Sequence, residues 1–386
     1  MVFCRLHFAL AGAVIASGLL VGVHGAHAQE LLVGQVASQT SPVTAANAKG
    51  MATGMQAYFA SVNDKGGVAG RPVKLITKDD NLVPAKMVDI TKEFVADKNV
   101  LALAGYINTG GLTALVKDNL VGDSGIAMIS PLQGDKAIVG APNFFPFRSG
   151  YSDEVTALVK EAKSTHKQKV AIVYWNVTFG PEMVKLAQDL SKEIGLNVST
   201  AVEIDAKDQA KFDSEVKQAA NAVIKQAPDA IIMLISGRYA QEFIKQIRNS
   251  PAQSAQLYAM SIVPAGDVVK TVGVEKARGV VIAQAVPYPF APGRPLVSEY
   301  QKIMKQYAPN EPFSFSTLEG FVTAKITVEA LKRAGPAPTR EKVLRALSSM
   351  GELNLGDVYV NYSPAARRGW GRIDLTIINA EGRLVR

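Results

Sequence analysis

LLVGQVASQTSPVTAANAKGMATGMQAYFASVNDKGGVAGRPVKLITKDD, residues 31–80, decides the architecture of this chain. Its first six residues, LLVGQV (31–36), form a short apolar run of strand type. Ala48 to Lys65 reads as a helix ending at Gly66-Gly67, where glycine supplies the positive φ that closes a helix. PVKLITKDD (72–80) alternates as a half-buried strand does. Strand, helix and strand in this order form a crossover unit, whose two strands run parallel in one sheet.

Working outward, the rhythm persists. Pro84 to Asp97 predicts a helix with proline in its first turn. VLALAGY (100–106) predicts a buried strand, Leu112 to Leu120 a helix and IAMIS (126–130) another strand. GAPNFFPFRSGYSD (140–153), rich in Pro, Gly and aromatics, reads as a crossover. A second unit of similar size follows, with helices at 153–163, 181–194, 212–226 and 240–248. Between them lie the strands KVAIVYW (169–175), NVSTAVEI (197–204), AIIMLIS (230–236) and QLYAMS (256–261). GVVIAQAVPYPFAPGRP (279–295) leads out of that unit through a proline-rich passage. Helices at 296–307, 316–334 and 339–349 then precede strands near 357–361 and 372–378. The expected fold class is α/β, two doubly wound units with mostly parallel sheets covered on both faces.

The first thirty residues follow a different logic. Arg5 precedes an apolar stretch from Phe8 to Val23, and Ala26-His27-Ala28 is an A-x-A cleavage site, together the pattern of an export signal. The stretch is short for a spanning helix and ends at small residues, so residues 1–28 are expected to be removed on export to the periplasm. Cys4 lies too near the start to carry a lipid anchor. Cleavage removes the only Cys and three of the four His (His7, His24 and His27). His166 stays, in the polar stretch AKSTHKQK. A thiol nucleophile, a disulfide framework and a Cys/His metal cage are thereby excluded, and no G-x-S-x-G elbow surrounds any serine. The expectation is a binding protein without catalytic residues, metal or cofactor.

Formal net charge is +8, which raises the question of nucleic acid. Lys and Arg are scattered singly, however, without basic runs or interleaved aromatics, so no nucleic-acid partner is expected. Nothing after residue 30 is long and apolar enough to span a bilayer.

Several stretches, taken together and in order, resemble the branched-chain-amino-acid-type periplasmic solute-binding proteins of ABC importers, with the type I periplasmic binding fold. They are VGQVASQTSPVTAANAKG onward (33–80), AGYINTGG (104–111), GIAMISPLQG (125–134), FRSGYSD (147–153) and VAIVYWNVTFG (170–180). The resemblance implies two lobes joined by three crossovers, with the ligand between them. Lobe 1 would comprise 29–149 plus 284–355, and lobe 2 150–283 plus 356–386. It also implies a small-molecule carboxylate as ligand, an inner-membrane ABC permease with its ATPase as partners, and a monomer that is not membrane-embedded.

Thr109-Gly110-Gly111 follows a strand and opens a helix, so a hydroxyl, backbone N–H groups and the helix dipole converge on a place suited to a carboxylate. The resemblance assigns the ligand's carboxylate to this turn. It assigns further carboxylate contacts to the loop Ser130-Pro131-Leu132-Gln133-Gly134, where Gly134 stands in place of a frequent Thr. It places Phe179 over the ligand from lobe 2; Trp175 ends the preceding strand at the same edge, and Tyr151 in the first crossover is a similar candidate.

The departures from the family carry information about the ligand. Relatives that bind amino acids place a carboxylate where this chain has Ser261, and Ser236 and Ala46 replace aromatic residues. An ammonium buried without counter-charge is costly. Asp153 is a possible substitute, although Ser-Asp before a helix reads first as an N-cap. Arg238 reads as an exposed helix-start residue or a source of positive charge. With Phe179, Trp175 and Tyr288 nearby, the expected ligand is an aromatic or hydrophobic acid; the alternative is a leucine-type amino acid. An exported enzyme and a soluble sensor component are remoter alternatives.

Overall fold

Val100–Ala104 is buried at every residue, and so is Ala230–Leu234. A strand with no exposed face must lie inside a sheet covered on both sides, as the parallel βαβ arrangement requires. The computed structural model describes residues 1–2, 29–177, 179–205 and 209–386. The expected export signal therefore falls, but for its first two residues, outside the described residues.

Lobe 1 begins with β1 (Leu31–Val36), α1 (Ala45–Asn63), β2 (Val73–Lys78), α2 (Pro84–Ala96), β3 (Val100–Ala104), α3 (Thr109–Lys117), α4 (Leu120–Ser124), β4 (Ala127–Ile129), α5 (Lys136–Val139) and β5 (Phe144–Phe145). Its five strands pair in parallel in the order β2-β1-β3-β4-β5.

The chain then crosses to lobe 2 through α6 (Tyr151–Ser164), β6 (Lys169–Trp175), α7 (Gly180–Glu193), β7 (Asn197–Ile204), α8 (Phe212–Ile224), β8 (Ala230–Leu234), α9 (Gly237–Arg248), β9 (Gln256–Ala259), α10 (Ala265–Val272), α11 (Val274–Ala277) and β10 (Val281–Gln284). It returns to lobe 1 for α12 (Pro295–Tyr307), α13 (Phe315–Arg333), α14 (Arg340–Ser348), β11 (Gly351–Asn354), β12 (Tyr359–Ser363) and β13 (Ala366–Arg368). It ends in lobe 2 with β14 (Asp374–Ile378) and β15 (Leu384–Val385). The second sheet has the order β15-β14-β10-β9-β8-β6-β7, with only β14 and β15 antiparallel to their neighbours. Two doubly wound lobes and three crossovers are thus present.

The late helices belong to lobe 1 because α1 and α13 pack almost backbone to backbone. A Cβ placed on Gly54 would lie 2.0 Å from the Thr317 carbonyl oxygen, and one on Gly320 2.1 Å from that of Met51. Arg340 fastens α14 to the sheet, its buried guanidinium donating to the carbonyls of Val95 and Phe94 at 2.7 and 2.8 Å and of Val100 at 2.7 Å. These bonds satisfy carbonyls at the end of α2 that the helix itself cannot.

The final return to lobe 2, expected at residue 356, comes later. The Tyr362 ring lies 5.4 Å from Phe145 and its hydroxyl donates to Pro146 O at 2.8 Å. Arg367 donates to Ala141 O at 2.9 Å. β12 and β13 therefore stay on lobe 1, and only at β14 does the chain rejoin the second sheet. An alternating strand near 357–361 is legible in the sequence, but its pattern does not say which lobe it joins.

The three crossovers are bonded to one another. Ser149 donates its N–H to Ala285 O at 3.2 Å and its hydroxyl to Arg372 O at 2.7 Å. Trp370 N–H donates to Phe147 O at 2.6 Å. The lobes are joined by a narrow strap of three segments, an arrangement that permits rotation about a hinge.

Gly54→Ala is expected to destabilise the protein by about 1–3 kcal/mol through overpacking at the α1–α13 contact. Urea unfolding measures it, and an unchanged midpoint would contradict so close an approach.

Candidate ligand-binding cleft

Between the lobes lies a cavity of about 740 Å³. Nearly all of its lining comes from segments that follow the C-terminal end of a parallel strand. Val43, Thr44 and Asn47 come after β1, Leu82 and Pro84 after β2, Ile107 to Gly110 after β3, and Leu132 after β4. From lobe 2 come Trp175, Asn176, Val177, Phe179 and Pro181 at and after the end of β6, Ser236 and Tyr239 after β8, and Ile262 after β9. Doubly wound sheets place their ligands at this edge.

Thr109 and Gly110 are the first two residues of α3 and line the cavity. Their N–H groups have no acceptor within the helix, which makes this end electropositive. The turn is held from behind. Asn108, buried, accepts from Gly111 N–H at 3.1 Å and donates to Asp80 at 2.7 Å. Asp80, itself fully buried, also accepts from Ser38 Oγ and from Leu82 N–H. This Ser38–Asp80–Asn108 chain escaped the sequence reading, although Asp79-Asp80 at a strand end was visible. Gly111 is thereby capped internally and does not line the cavity.

The 130–134 loop is arranged differently from the expectation. Leu132 lines the cavity, while Gln133 turns back and donates to Thr109 Oγ1 at 3.0 Å. Its side-chain oxygen, Oε1, accepts from the N–H groups of Gly134 and Asp135 at 2.9 and 3.0 Å. Those N–H groups, expected to meet the ligand, are already engaged. The Thr109 oxygen acts as acceptor in this bond, so its hydroxyl proton is not spent on Gln133. Ser130 is fully buried away from the cavity. Gly134 lies beneath Tyr151, and a Cβ there would come within 2.5 Å of the ring. The missing side chain makes room for Tyr151 to reach the cavity.

The opposite wall is aromatic. Tyr151 and Phe179 lie with ring centroids 4.6 Å apart, and Trp175 meets Tyr239 edge-on at 5.5 Å. Gly180 lets the start of α7 close against the end of β6: a Cβ there would stand 1.9 Å from Trp175 O. Ser236 lines the cavity, and its hydroxyl donates to Ile262 O. Among the described residues that line the cavity, none is Asp, Glu, Lys, Arg or His.

Ser261 does not line it. Its N–H and hydroxyl donate to the two oxygens of Glu154 at 2.7 and 2.9 Å. Tyr288 also faces elsewhere, its hydroxyl donating to Leu384 O at 2.7 Å. Asp153 accepts from Gly150 N–H at 3.1 Å and caps α6, and Arg238 stacks over Phe212 with its guanidinium carbon 4.0 Å from the ring centroid.

Beside the hinge lies a buried charge cluster that sequence spacing did not reveal. Arg148, in the first crossover, stands 3.7 Å from Glu154 of lobe 2 and 3.7 Å from Glu319 of lobe 1. Burial pushes the Glu154 carboxyl up from 4.5 to about 7, against the opposing pull of Arg148 and Ser261. Glu319 is pushed up for the same reason. Two carboxylates share one guanidinium, so one of them holds a proton readily.

The fold is two-lobed, with a cavity between the lobes. Residues 30–381 match the profile of the periplasmic binding protein family, and the chain belongs to it. The Leu/Ile/Val-binding protein homolog 2 of Brucella abortus is 25% identical over 205 residues, 52% of this chain and 54% of that protein, so the match spans about half its length. The Leu/Ile/Val/Thr-binding protein of Salmonella typhimurium is 22% identical over 76% of this chain and 78% of its own. Among solved structures, an extracellular ligand-binding receptor from Verminephrobacter eiseniae superposes with a TM-score of 0.84 at 24% identity, covering 93% of this chain and all (100%) of that one. A Thermus thermophilus branched-chain amino acid ABC transporter protein with bound valine gives 0.79 at 19%, covering 93% and 95%. A solute-binding protein of an R. palustris ABC transporter in complex with benzoate gives 0.76 at 19%, covering 92% and 95%. At these identities the structures share the fold.

Because Glu154 binds its proton more tightly folded than unfolded, stability is expected to fall as pH rises from about 4.5 to 7. Glu154→Gln leaves Arg148 paired with Glu319 and removes the Glu154 share of that dependence, the share of Glu319 remaining. Melting curves across this range should be flatter for the variant, and parallel curves would refute the assignment.

Proposed function

We propose that the protein is the solute receptor of an ABC importer and captures a small monocarboxylate with an aromatic or hydrophobic body. One observation carries the choice of ligand: the described cavity lining combines a helix N-terminus and a hydroxyl with aromatic rings and holds no ionisable acid or base. An acid group finds donors at Thr109 and Gly110. An amino acid's ammonium finds no carboxylate, and a charge buried unpaired costs several kcal/mol or shifts its protonation. The acid near Ser261, Glu154, is committed to Ser261 and Arg148. The alternative, a leucine-type amino acid with Asp153 as counter-charge, is disfavoured because Asp153 is occupied as a helix cap.

The cavity volume of about 740 Å³ accommodates a ring with a short tail, within the usual range for small-molecule sites. Binding would proceed by closure: the acid anchored on lobe 1, the ring covered by Tyr151, Phe179 and Trp175. The benzoate-bound relative supports this reading and the valine-bound relative the alternative.

Calorimetric titration with benzoate, phenylacetate and leucine separates the two. Aromatic acids are expected to bind and leucine not to; tight leucine binding with indifference to aromatic acids would reverse the proposal. Thr109→Val, which removes one hydrogen bond to a charged group, should weaken acid binding by about 10- to 100-fold.

A further inference from the structure

The cleft contains a second cavity, of about 840 Å³, bordered by Ala46, Ser261, Tyr288, Phe313 and Phe315. It is separate from the first, and among the described residues Asn47 alone borders both. Val43 and Thr44, just before α1, face the first cavity, and Ala46 and Lys49 on α1 face the second. In the segment after β9, Ile262 faces the first while Ser261 and Val263 face the second. A partition therefore runs between them, half from each lobe.

One hydrogen bond from an Asn47 side chain closes that partition. Nδ2 of Asn47 donates to Ile262 O across the lobes at 3.2 Å, while its Oδ1 accepts from Ser316 Oγ of lobe 1 at 2.7 Å. Ser316 thus aims the amide from within lobe 1 before lobe 2 arrives. Ile262 O is aimed in turn, since it also accepts from Ser236 Oγ. Asn47 is 6% exposed, so little solvent competes for the bond. The partition is a product of closure, because its halves part when the lobes rotate away from each other.

We propose that Asn47 is a specificity-determining residue that sets the upper length of the ligand. This rests on the reading of the first cavity as a site for acids anchored at Thr109. An acid whose body fits the first cavity lets the lobes complete the Asn47–Ile262 bond. A longer acid must pass where the amide stands, forfeits the bond and holds the lobes apart. Selection acts through closure and not through contact with the acid group, which is the same for every member of a series. The second cavity is the space a long tail would enter if the amide were absent.

The test titrates ω-phenylalkanoic acids, from phenylacetate to 8-phenyloctanoate, against the unaltered protein and against Asn47→Ala. Alanine suits a helix, so the variant is expected to fold. In the unaltered protein affinity should fall sharply beyond a limiting length. In Asn47→Ala the short acids should bind about tenfold weaker or less, from the lost hydrogen bond. The limit should move outward, long acids gaining at least tenfold relative to phenylacetate. Ser316→Ala, which releases the amide without removing it, should weaken binding and leave the limit in place. Equal weakening of every acid by Asn47→Ala, or an unmoved limit, overturns the partition while leaving the ligand class standing. Absence of binding by any acid to either protein overturns the ligand class, and the partition with it.

Discussion

Ser149 bonds to two different crossovers at once, and with the Trp370–Phe147 contact it draws all three into a single strap. Everything else about the cleft follows from that restriction. Two sheets joined by three tied segments cannot slide apart or twist freely; they can rotate about the strap. The strand ends that carry Thr109, Leu132, Trp175 and Ser236 therefore face one another whatever the rotation. The tight fit extends to backbone, for a Cβ on Gly369 would stand 2.1 Å from Phe147 O.

Where the lobes meet, apolar and polar contacts lie side by side. Val43 of lobe 1 lies within the apolar cluster of lobe 2, against Gly237, whose missing Cβ would fall 2.4 Å from Val43 O. Asn47 adds a polar contact beside it. The Arg148 cluster lies beside the hinge and draws its members from both lobes and a crossover. Its charges face one another within the protein, and none of its members is among the described residues that line the first cavity.

The lining also shows how function is divided between turn and support. Asn108, Thr109 and Gly110 border the cavity, while the bonds of Asn108, Gln133 and Asp80 hold the turn in shape and Gln133 takes up the N–H groups of Gly134 and Asp135. Glycines act by absence: Gly134 admits Tyr151, and Gly180 lets α7 start against the backbone of Trp175. A reading based on residue types assigns the anion to every available N–H in these loops. Only the hydrogen-bond accounting shows which of them are already taken.

The sequence by itself determined the α/β rhythm, the two doubly wound units and the strand-to-helix turn at Thr109. Each of these is a local matter of apolar period, glycine stops and helix starts. It also made Tyr151, Trp175 and Phe179 visible as aromatics at strand ends or in a crossover. Tertiary structure alone decided that Gln133 turns back, that Ser261 is claimed by Glu154, and that β12 and β13 remain on lobe 1. It alone brought Arg148, Glu154 and Glu319 together, and Asn47 to Ile262 across 215 residues of chain. Pairings between distant side chains leave no period in a sequence, because nothing in either neighbourhood records which partner the fold will bring.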